Sequence, residues 1–393
     1  MNNDSLASQA WEDFAQTLDR LGKELASEPF PVGPRETAEG YRYLARLTTF
    51  GLQWALEFSD PDFPSFYRYD DDVTKWGGPN VDNRYLRATI SGTDAYRITG
   101  NGANTHGFLF SLHQGDMQLG EFGVYGELWH DQLVTDEDGN FELILSPTNT
   151  TNAANWMALD PNARIVSIRE YFNDWSIEKP GDYQIEKIGN EGQSKPPLTD
   201  SEIAQNIKTA QVWIESSLRF WNSYVTNARS SSEINTITPA GSALGGATDI
   251  AYGSSFCSIG DDEAFVIEGE APNAWTWNFL LYNGGWFESL DIATRTCSRN
   301  GTQLTIDADG RFRIVVSHTD PGVANWLDTS GLHDTMITYR FIRTTTSPVP
   351  SGRVVQLADL AEALHPDTKP FTTEQRRAEI IIRQHHISSR FRR

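Results

Sequence analysis

Apolar residues fall on every second position in Phe141, Leu143 and Leu145, and again in Phe312, Ile314 and Val316. Each run is entered through an Asp-x-Asp-Gly tetrad, in which glycine supplies the positive φ of a tight turn before an alternating strand. The two runs belong to longer copies. QLVTDEDGNFELILSPTNTTNAANW, Gln132–Trp156, reads again as QLTIDADGRFRIVVSHTDPGVANW, Gln303–Trp326. Gln132 matches Gln303 and Phe141 matches Phe312, both at an offset of 171 (303 − 132; 312 − 141). Asp136, Asp138 and Gly139 keep that register with Asp307, Asp309 and Gly310. Two acids, a glycine and a phenylalanine do not hold one offset by accident of β composition, so the chain carries an internal duplication.

The remaining pattern extends the copies in both directions. YLRATI, AYRITG, GFLFSL, GEFGVYGELWHDQL, FELIL and RIVSIREYF are short alternating runs between Gly, Asn and Asp turns. Such spacing predicts an antiparallel sandwich. AFVIEG repeats AYRITG, and TMITYRFIR repeats RIVSIREYF. Helical spacing of three and four appears in Trp11, Phe14, Leu18, Leu21 and Leu25, in Tyr41, Leu44, Leu47, Trp54 and Phe58, and in Ile203, Ile207, Ala210, Ile214, Leu218, Trp221 and Val225. The predicted fold class is mainly β with helices (α+β): two antiparallel β-sandwich units, jelly-roll-like, each preceded by a long helix. The predicted divisions are an N-terminal helix over 1–34, a first unit over 35–176, a polar linker over 177–198, a second unit over 199–346 and C-terminal helices over 347–393. The last stretch reads as a short helix through Val354, Leu357, Leu360 and Leu364, then a helix capped by Thr372 with Gln375 three residues on.

Composition narrows the partners. Lys+Arg 32 against Asp+Glu 53 gives a net charge of −21, which opposes a nucleic-acid partner. No apolar run approaches the ~18 residues of a membrane span. MNNDSLASQAWEDF has no basic and apolar leader pattern, and the two cysteines, Cys257 and Cys297, read as reduced core thiols, so the expected compartment is the cytoplasm. Arg376, Arg377, Arg383, Arg390, Arg392 and Arg393 make the last helix the basic exception. It is expected either to stay solvated or to dock on an acidic surface of this chain or of a second subunit, giving a homo-oligomer.

GPNVDNRYLRATISGTDAYRITGN, the GNFELILS…NW…IREYF run and its second version GRFRIVVS…NWL…ITYRFI resemble the domain-of-unknown-function 1214 family. Its ending, a strand, an Asn-Trp-Leu turn and a last strand with Arg before an aromatic, is met by Asn325–Trp326–Leu327 with Arg340 and Phe341. The first copy departs from it, with Met157 after Trp156 and Glu170 between Arg169 and Tyr171. The resemblance covers most of residues 36–345. It implies a jelly-roll-like sandwich, sometimes doubled, and a bacterial origin, with no settled activity.

Duplication separates scaffold from candidate chemistry. Pairs present in both copies, Asp136/Asp307, Gly139/Gly310, Asn155/Asn325, Trp156/Trp326 and Arg169/Arg340, read as structural. The one-copy set is His106, His113, Glu121, Glu127, His130 and Asp131; for example His130 and Asp131 are replaced by Gly301 and Thr302. On an extended strand Glu127 and Trp129 share one face and His130 takes the other, so His130 needs a partner such as His106 or His113 from another strand. Three readings compete for this set: two chemistries, and a third in which these are surface or satisfied histidines with no role. A divalent metal could be held by the three histidines with a carboxylate, although the tight His/Glu spacing usual for metals is absent. Metal-free acid–base catalysis needs one His and one acid, and is the leading expectation. No Walker loop, Rossmann fingerprint, GxSxG or CxxC occurs; GNGANTHG and PAGSALGGA lack the Lys-Ser/Thr of a phosphate loop.

The expected function is therefore a cytosolic bacterial enzyme acting on a small, largely apolar or aromatic organic molecule. Its route would be hydrolase- or lyase-like, without an organic cofactor. The alternative is a non-catalytic ligand- or glycan-binding protein with an aromatic-lined cleft, for which Trp275, Trp277 and Trp286 are the candidate stacking faces.

Overall fold

A computed structural model describes residues 5–242 and 246–392. Arg393 and the centre of PAGSALGGA lie outside them. The chain divides into two compact units, one built from 1–76, 83–171 and 180–223, the other from 77–82, 172–179 and 224–393. Over the described residues the chain is a mainly β, α+β structure of repeated units with four sheets.

The first unit opens with helices α1 (Leu6–Glu24) and α2 (Pro34–Glu57). Phe14, Thr17 and Leu21 are the buried face of α1, while Trp11, expected on it, is exposed. Tyr43 rather than Tyr41 takes the buried side of α2. The strands are β1 (Tyr67–Asp70), β2 (Asn83–Thr89), β3 (Tyr96–Asn101), β4 (Gly107–His113), β5 (Val124–Trp129), β6 (Asn140–Ser146), β7 (Trp156–Ala158), β8 (Ile165–Tyr171) and β9 (Asp182–Lys187). They form one sheet in the order β1-β2-β8-β4-β5 and a second in the order β7-β6-β3-β9. Leu86, Ile98, Phe108, Phe110, Leu143, Leu145, Val166 and Ile168 belong to a continuous core drawn from both sheets.

The second unit repeats this wiring. After α3 (Asp200–Ser230) come β10 (Ile250–Ser258), β11 (Glu263–Glu270), β12 (Ala274–Asn283), β13 (Ser298–Asn300), β14 (Arg311–Ser317), β15 (Trp326–Asp328), β16 (Asp334–Thr344) and β17 (Ser351–Gln356). Their orders, β10-β16-β12-β13 and β15-β14-β11-β17, reproduce β2-β8-β4-β5 and β7-β6-β3-β9 strand for strand. The duplication is thus one of topology as well as sequence. The turn it was first seen in is also matched: Gly139 has φ 84° and Gly310 φ 80°. So is the Asn-Trp corner. Asn155 accepts from Val134 N at 2.7 Å and donates to Val134 O at 2.8 Å; Asn325 does the same with Thr305 N at 2.8 Å and Thr305 O at 2.7 Å.

Three expectations change. The segment expected as a linker contains β9, antiparallel to β3, with Tyr183 and Ile185 buried and Asp182, Gln184 and Glu186 turned out. Its counterpart β17 pairs with β11 where a helix was expected; only Leu360–Ala363, α4, is α-helical there. The helix α3, expected to lead the second unit, belongs to the first unit through Ser223. Its stripe is buried from Ile207 to Val225, with Trp213 added, while Ile203 is half-buried.

The basic helix, α5 (Thr373–Phe391), has the expected Thr372/Gln375 capping box. Arg377 and Arg392 are exposed, and the other described arginines of the stretch are not. Arg376, Arg383 and Arg390 are buried inside the second unit. Arg376 pairs with Asp320 at 2.9 Å and Glu379 at 2.7 Å, and Glu379 also pairs with Arg299. Arg383 and Arg390 lie over Trp175 at 4.9 and 4.6 Å from the ring centre. The helix docks on its own chain. Cys257 and Cys297 are free and buried.

Candidate functional site

One row of side chains crosses the whole five-stranded sheet of the first unit, one residue per strand. Tyr67 pairs with Arg87, Arg87 with Ser167, Ser167 with Ser111 and Ser111 with Glu127. Residues of the opposite parity, Leu86, Ile168, Phe110 and Val166 among them, fill the sandwich core, so the row lies on the other face of the sheet. In the second unit the matching row is Ser254, Thr338, Leu280 and Ser298. The ionisable row exists in one copy only.

Arg87 is second in the row, on β2, and 2 % exposed. Its Nη1 meets Asp116 Oδ1 at 2.8 Å and its Nε donates to Tyr67 Oη at 2.6 Å. Asp116 comes from the turn after β4, and its second oxygen accepts from the Trp213 indole at 2.7 Å. The guanidinium carbon is 5.1 Å from the ring centres of Phe50 and Trp54, 5.7 Å from Tyr67 and 5.2 Å from Tyr69. A weakly hydrated, planar cation suits such an aromatic wall. Burial pushes the Tyr67 and Tyr69 phenols up, so both stay protonated.

Next along β4, His113 Nε2 is hydrogen-bonded to Ser167 Oγ at 2.9 Å. Burial, then the charges of Arg169 and Arg87, bring His113 down to about 3. The imidazole is neutral near pH 7 and has one nitrogen on a serine hydroxyl. Among the described residues Arg87 Nη2, Trp54 Nε1 and Ser111 Oγ are buried with no hydrogen-bond partner. Leaving a donor so costs roughly 1–3 kcal/mol, more for a charged one. A guanidinium Nη and an indole N–H at one aromatic wall are groups that would hold an oxyanion.

The six residues singled out by sequence do not converge. His113 and Glu127 share the polar face. Glu121 lies in the turn with Asp116, its Oε2 accepting from Asp116 N at 3.3 Å, and burial pushes its carboxyl up. His130 is in a 3₁₀ turn after β5, its ring 5.7 Å from Phe108, a residue of the sandwich core. It is therefore on the side of the sheet away from His113. His106 lies one residue before β4, its amide donating to Tyr171 O at 3.0 Å, and Asp131 is exposed. Tyr67, Arg87, Ser111, Asp116 and Ser167 were not singled out. Period-two parity across the strands was the signal, and it becomes readable only once the pairing register is known. The aromatic platform also changes: Trp277 and Trp286 are core residues, 8 % and 0 % exposed, and cannot offer stacking faces to a glycan. An open groove of about 720 Å³ on the second sheet is lined by Thr99, Asn101, Asp136, Glu142, Asn155 and Gln184, and none of the six enters it.

The fold and the one-copy row define the protein as a duplicated two-sheet β-sandwich in which the row through Arg87 is ionisable in the first copy and not at the matching positions of the second. The chain belongs to the family described as "Protein of unknown function (DUF1214)", whose family model matches residues 259–346, in the second unit. It is similar to an uncharacterised protein from Burkholderia cenocepacia, with 32% identity over 90% of this chain and 98% of that one and a TM-score of 0.83. A looser likeness, 13% identity and TM-score 0.48 over 81% of this chain and 98% of the other, is to a protein of Vibrio parahaemolyticus. No curated protein matches the chain.

Proposed function

We propose that the first unit holds a small organic molecule with an apolar or aromatic body and one anionic group. Arg87 is the anchor. The observation that carries this reading is its buried, unpartnered Nη2 within four aromatic rings. An anionic oxygen on that nitrogen gains a charge-assisted hydrogen bond, and the rings take the body. The experiment is calorimetric titration of the whole tag-free chain with aromatic carboxylates and their uncharged amides. Carboxylates should bind at least tenfold tighter than the amides, and Arg87→Met should abolish the difference. Equal affinity for both, or an undiminished preference in a folded Arg87→Met protein, overturns the reading.

The His113–Ser167 hydrogen bond favours a second step, hydrolase- or lyase-like acid–base chemistry on the bound molecule. Alone, an imidazole held near 3 is a weak base. An anion beside Arg87 would offset one of the charges that hold it down and raise its basicity. Turnover of an aryl ester should then fall roughly 10²-fold or more in both His113→Gln and Ser167→Ala. If either folded variant keeps full turnover, the protein is a binder. This proposed chemistry is placed in the cytoplasm; among the described residues no helix is long and apolar enough to cross a membrane.

A further inference from the structure

We infer that the second unit carries a divalent metal site at Asp261, His318 and His333, for a transition ion of the zinc class. The three residues come from three strand ends. Asp261 is in the turn between β10 and β11, His318 follows the last residue of β14, and His333 precedes the first of β16. One potential ligand atom from each lies within 4.8 Å of the others. Zn–N and Zn–O bonds of about 2.0–2.1 Å in a tetrahedron need ligand atoms roughly 3.3 Å apart. His333 Nε2 and Asp261 Oδ1 already stand at 3.5 Å. His333 and Asp261 are exposed, so they can close the remaining distance by side-chain rotation, and an ion can enter from solvent.

The outer contacts also suit a metal. His333 Nδ1 donates to the Ile259 carbonyl at 3.0 Å, which leaves Nε2 with its lone pair toward Asp261. His318 Nδ1 is 2.7 Å from the hydroxyl of the fully buried Thr329, and its Nε2 is 3.3 Å from the Ile259 carbonyl; with the proton on Nδ1 and donated to Thr329, Nε2 gives up that longer contact and offers its lone pair to an ion. A backbone carbonyl and a hydroxyl on the far nitrogens of ligating imidazoles are what fix tautomer and ring direction at metal centres. The loop is tied to the same place, since Ile259 N donates to His333 O at 3.1 Å. With the proton on Nδ1, a lone pair and a carboxylate face each other at 3.5 Å, an arrangement that a shared cation relieves. Two imidazoles and one carboxylate select zinc-like ions over magnesium and calcium, and leave a coordination position open.

The site is also one-copy. At the matching positions the first unit has Pro147 for His318 and Asn162 for His333, both at an offset of 171 (318 − 147; 333 − 162), and Gly92 for Asp261 at 169 (261 − 92). The second copy thus has its own chemistry at a strand-end rim, apart from the ionisable row of the first.

The test uses the tag-free full chain, freed of metal by chelator, titrated with Zn²⁺ and separately with Co²⁺. One Zn²⁺ should bind per chain and raise the melting temperature. Co²⁺ should give visible d–d bands, and excess Mg²⁺ should compete with neither. His318→Gln, His333→Gln and Asp261→Asn should each weaken binding at least tenfold, since loss of a ligand's hydrogen-bond partner alone costs about 10–100-fold. Asp261→Asn, in an exposed turn, serves as the variant whose unliganded melt should match the wild type. Absence of saturable Zn²⁺ binding up to roughly 1 mM, the weak end of specific affinity, overturns the inference. So does full-affinity binding in all three variants.

Discussion

Replacing Asp116 with Asn strips the counter-ion from a buried guanidinium while keeping shape. Asp116 serves two donors at once, Arg87 Nη1 at 2.8 Å and the Trp213 indole at 2.7 Å. An Asn has one acceptor oxygen and one NH₂ group. Turned toward Arg87, the oxygen leaves the indole facing an N–H; turned toward Trp213, it leaves Arg87 facing one. Either way a hydrogen bond is lost and Arg87, 2 % exposed, keeps an uncompensated charge. Removing one partner of a buried pair costs about 3–5 kcal/mol, whereas replacing both by apolar groups is often neutral. Asp116→Asn should therefore lower stability by about 3–5 kcal/mol. The Arg87→Met/Asp116→Leu double variant should recover at least ~2 kcal/mol of the summed single losses, as coupled sites do. Urea unfolding followed by tryptophan fluorescence reads both numbers, since Trp76 meets Trp213 edge to face, 5.1 Å between ring centres, and Trp213 is hydrogen-bonded to Asp116. A loss under ~1 kcal/mol, or additive single variants, would mean that Arg87 is solvated and the closed aromatic site does not exist.

Three more outcomes are expected. Trp326 is 7 % exposed while Trp156 is half-buried, so Trp326→Ala should cost about 3–5 kcal/mol and Trp156→Ala clearly less; equal thermal shifts would count against the burial difference. His113 has a folded value of about 3 against 6.5 ordinarily, so its contribution to stability is whole above pH 6.5 and is lost as the pH falls toward 3, at ~1.4 kcal/mol per pH unit. His113→Gln should flatten that acid limb in urea midpoints taken at pH 6.5 and 4.5, and an unchanged slope would refute it. Removing Thr372–Arg393 should lower the second unit's melting temperature, because Arg376, Arg383 and Arg390 are buried in it; an unchanged melt would contradict their packing.

Much of this architecture was legible in residue order. Gln132/Gln303 and Phe141/Phe312 announced the copies, and the topology repeats strand for strand. Asn155 and Asn325 read as structural in both copies, and they hold the backbone of Val134 and Thr305. What escaped were strands whose local signals mislead. DYQIEK alternates, but Pro and Gly flank it, and it becomes a strand because β3 offers an open edge. The Val354–Leu357–Leu360–Leu364 spacing mimics a helix although Val354 and Val355 pair with β11. The site escaped for a different reason. The one-copy filter found His113 and Glu127, yet it weighted the His-rich stretch around His130, which the pleat turns to the other side. Arg87, Ser167 and Ser111 stand 24 to 80 residues apart along the chain and meet only through strand register (111 − 87; 167 − 87). Asp261, His318 and His333 are separated in the same way and gather only at the rim.

The most direct measurement is NMR of the arginine side chains in the ¹⁵N-labelled protein, with Arg87→Met identifying the Arg87 guanidinium signals. On adding an aromatic carboxylate, the Nη signals of Arg87 should shift and slow their exchange, as Nη2 gains an acceptor, while the matching amide leaves them in place. Binding of the carboxylate with the Arg87 signals unmoved would contradict the account.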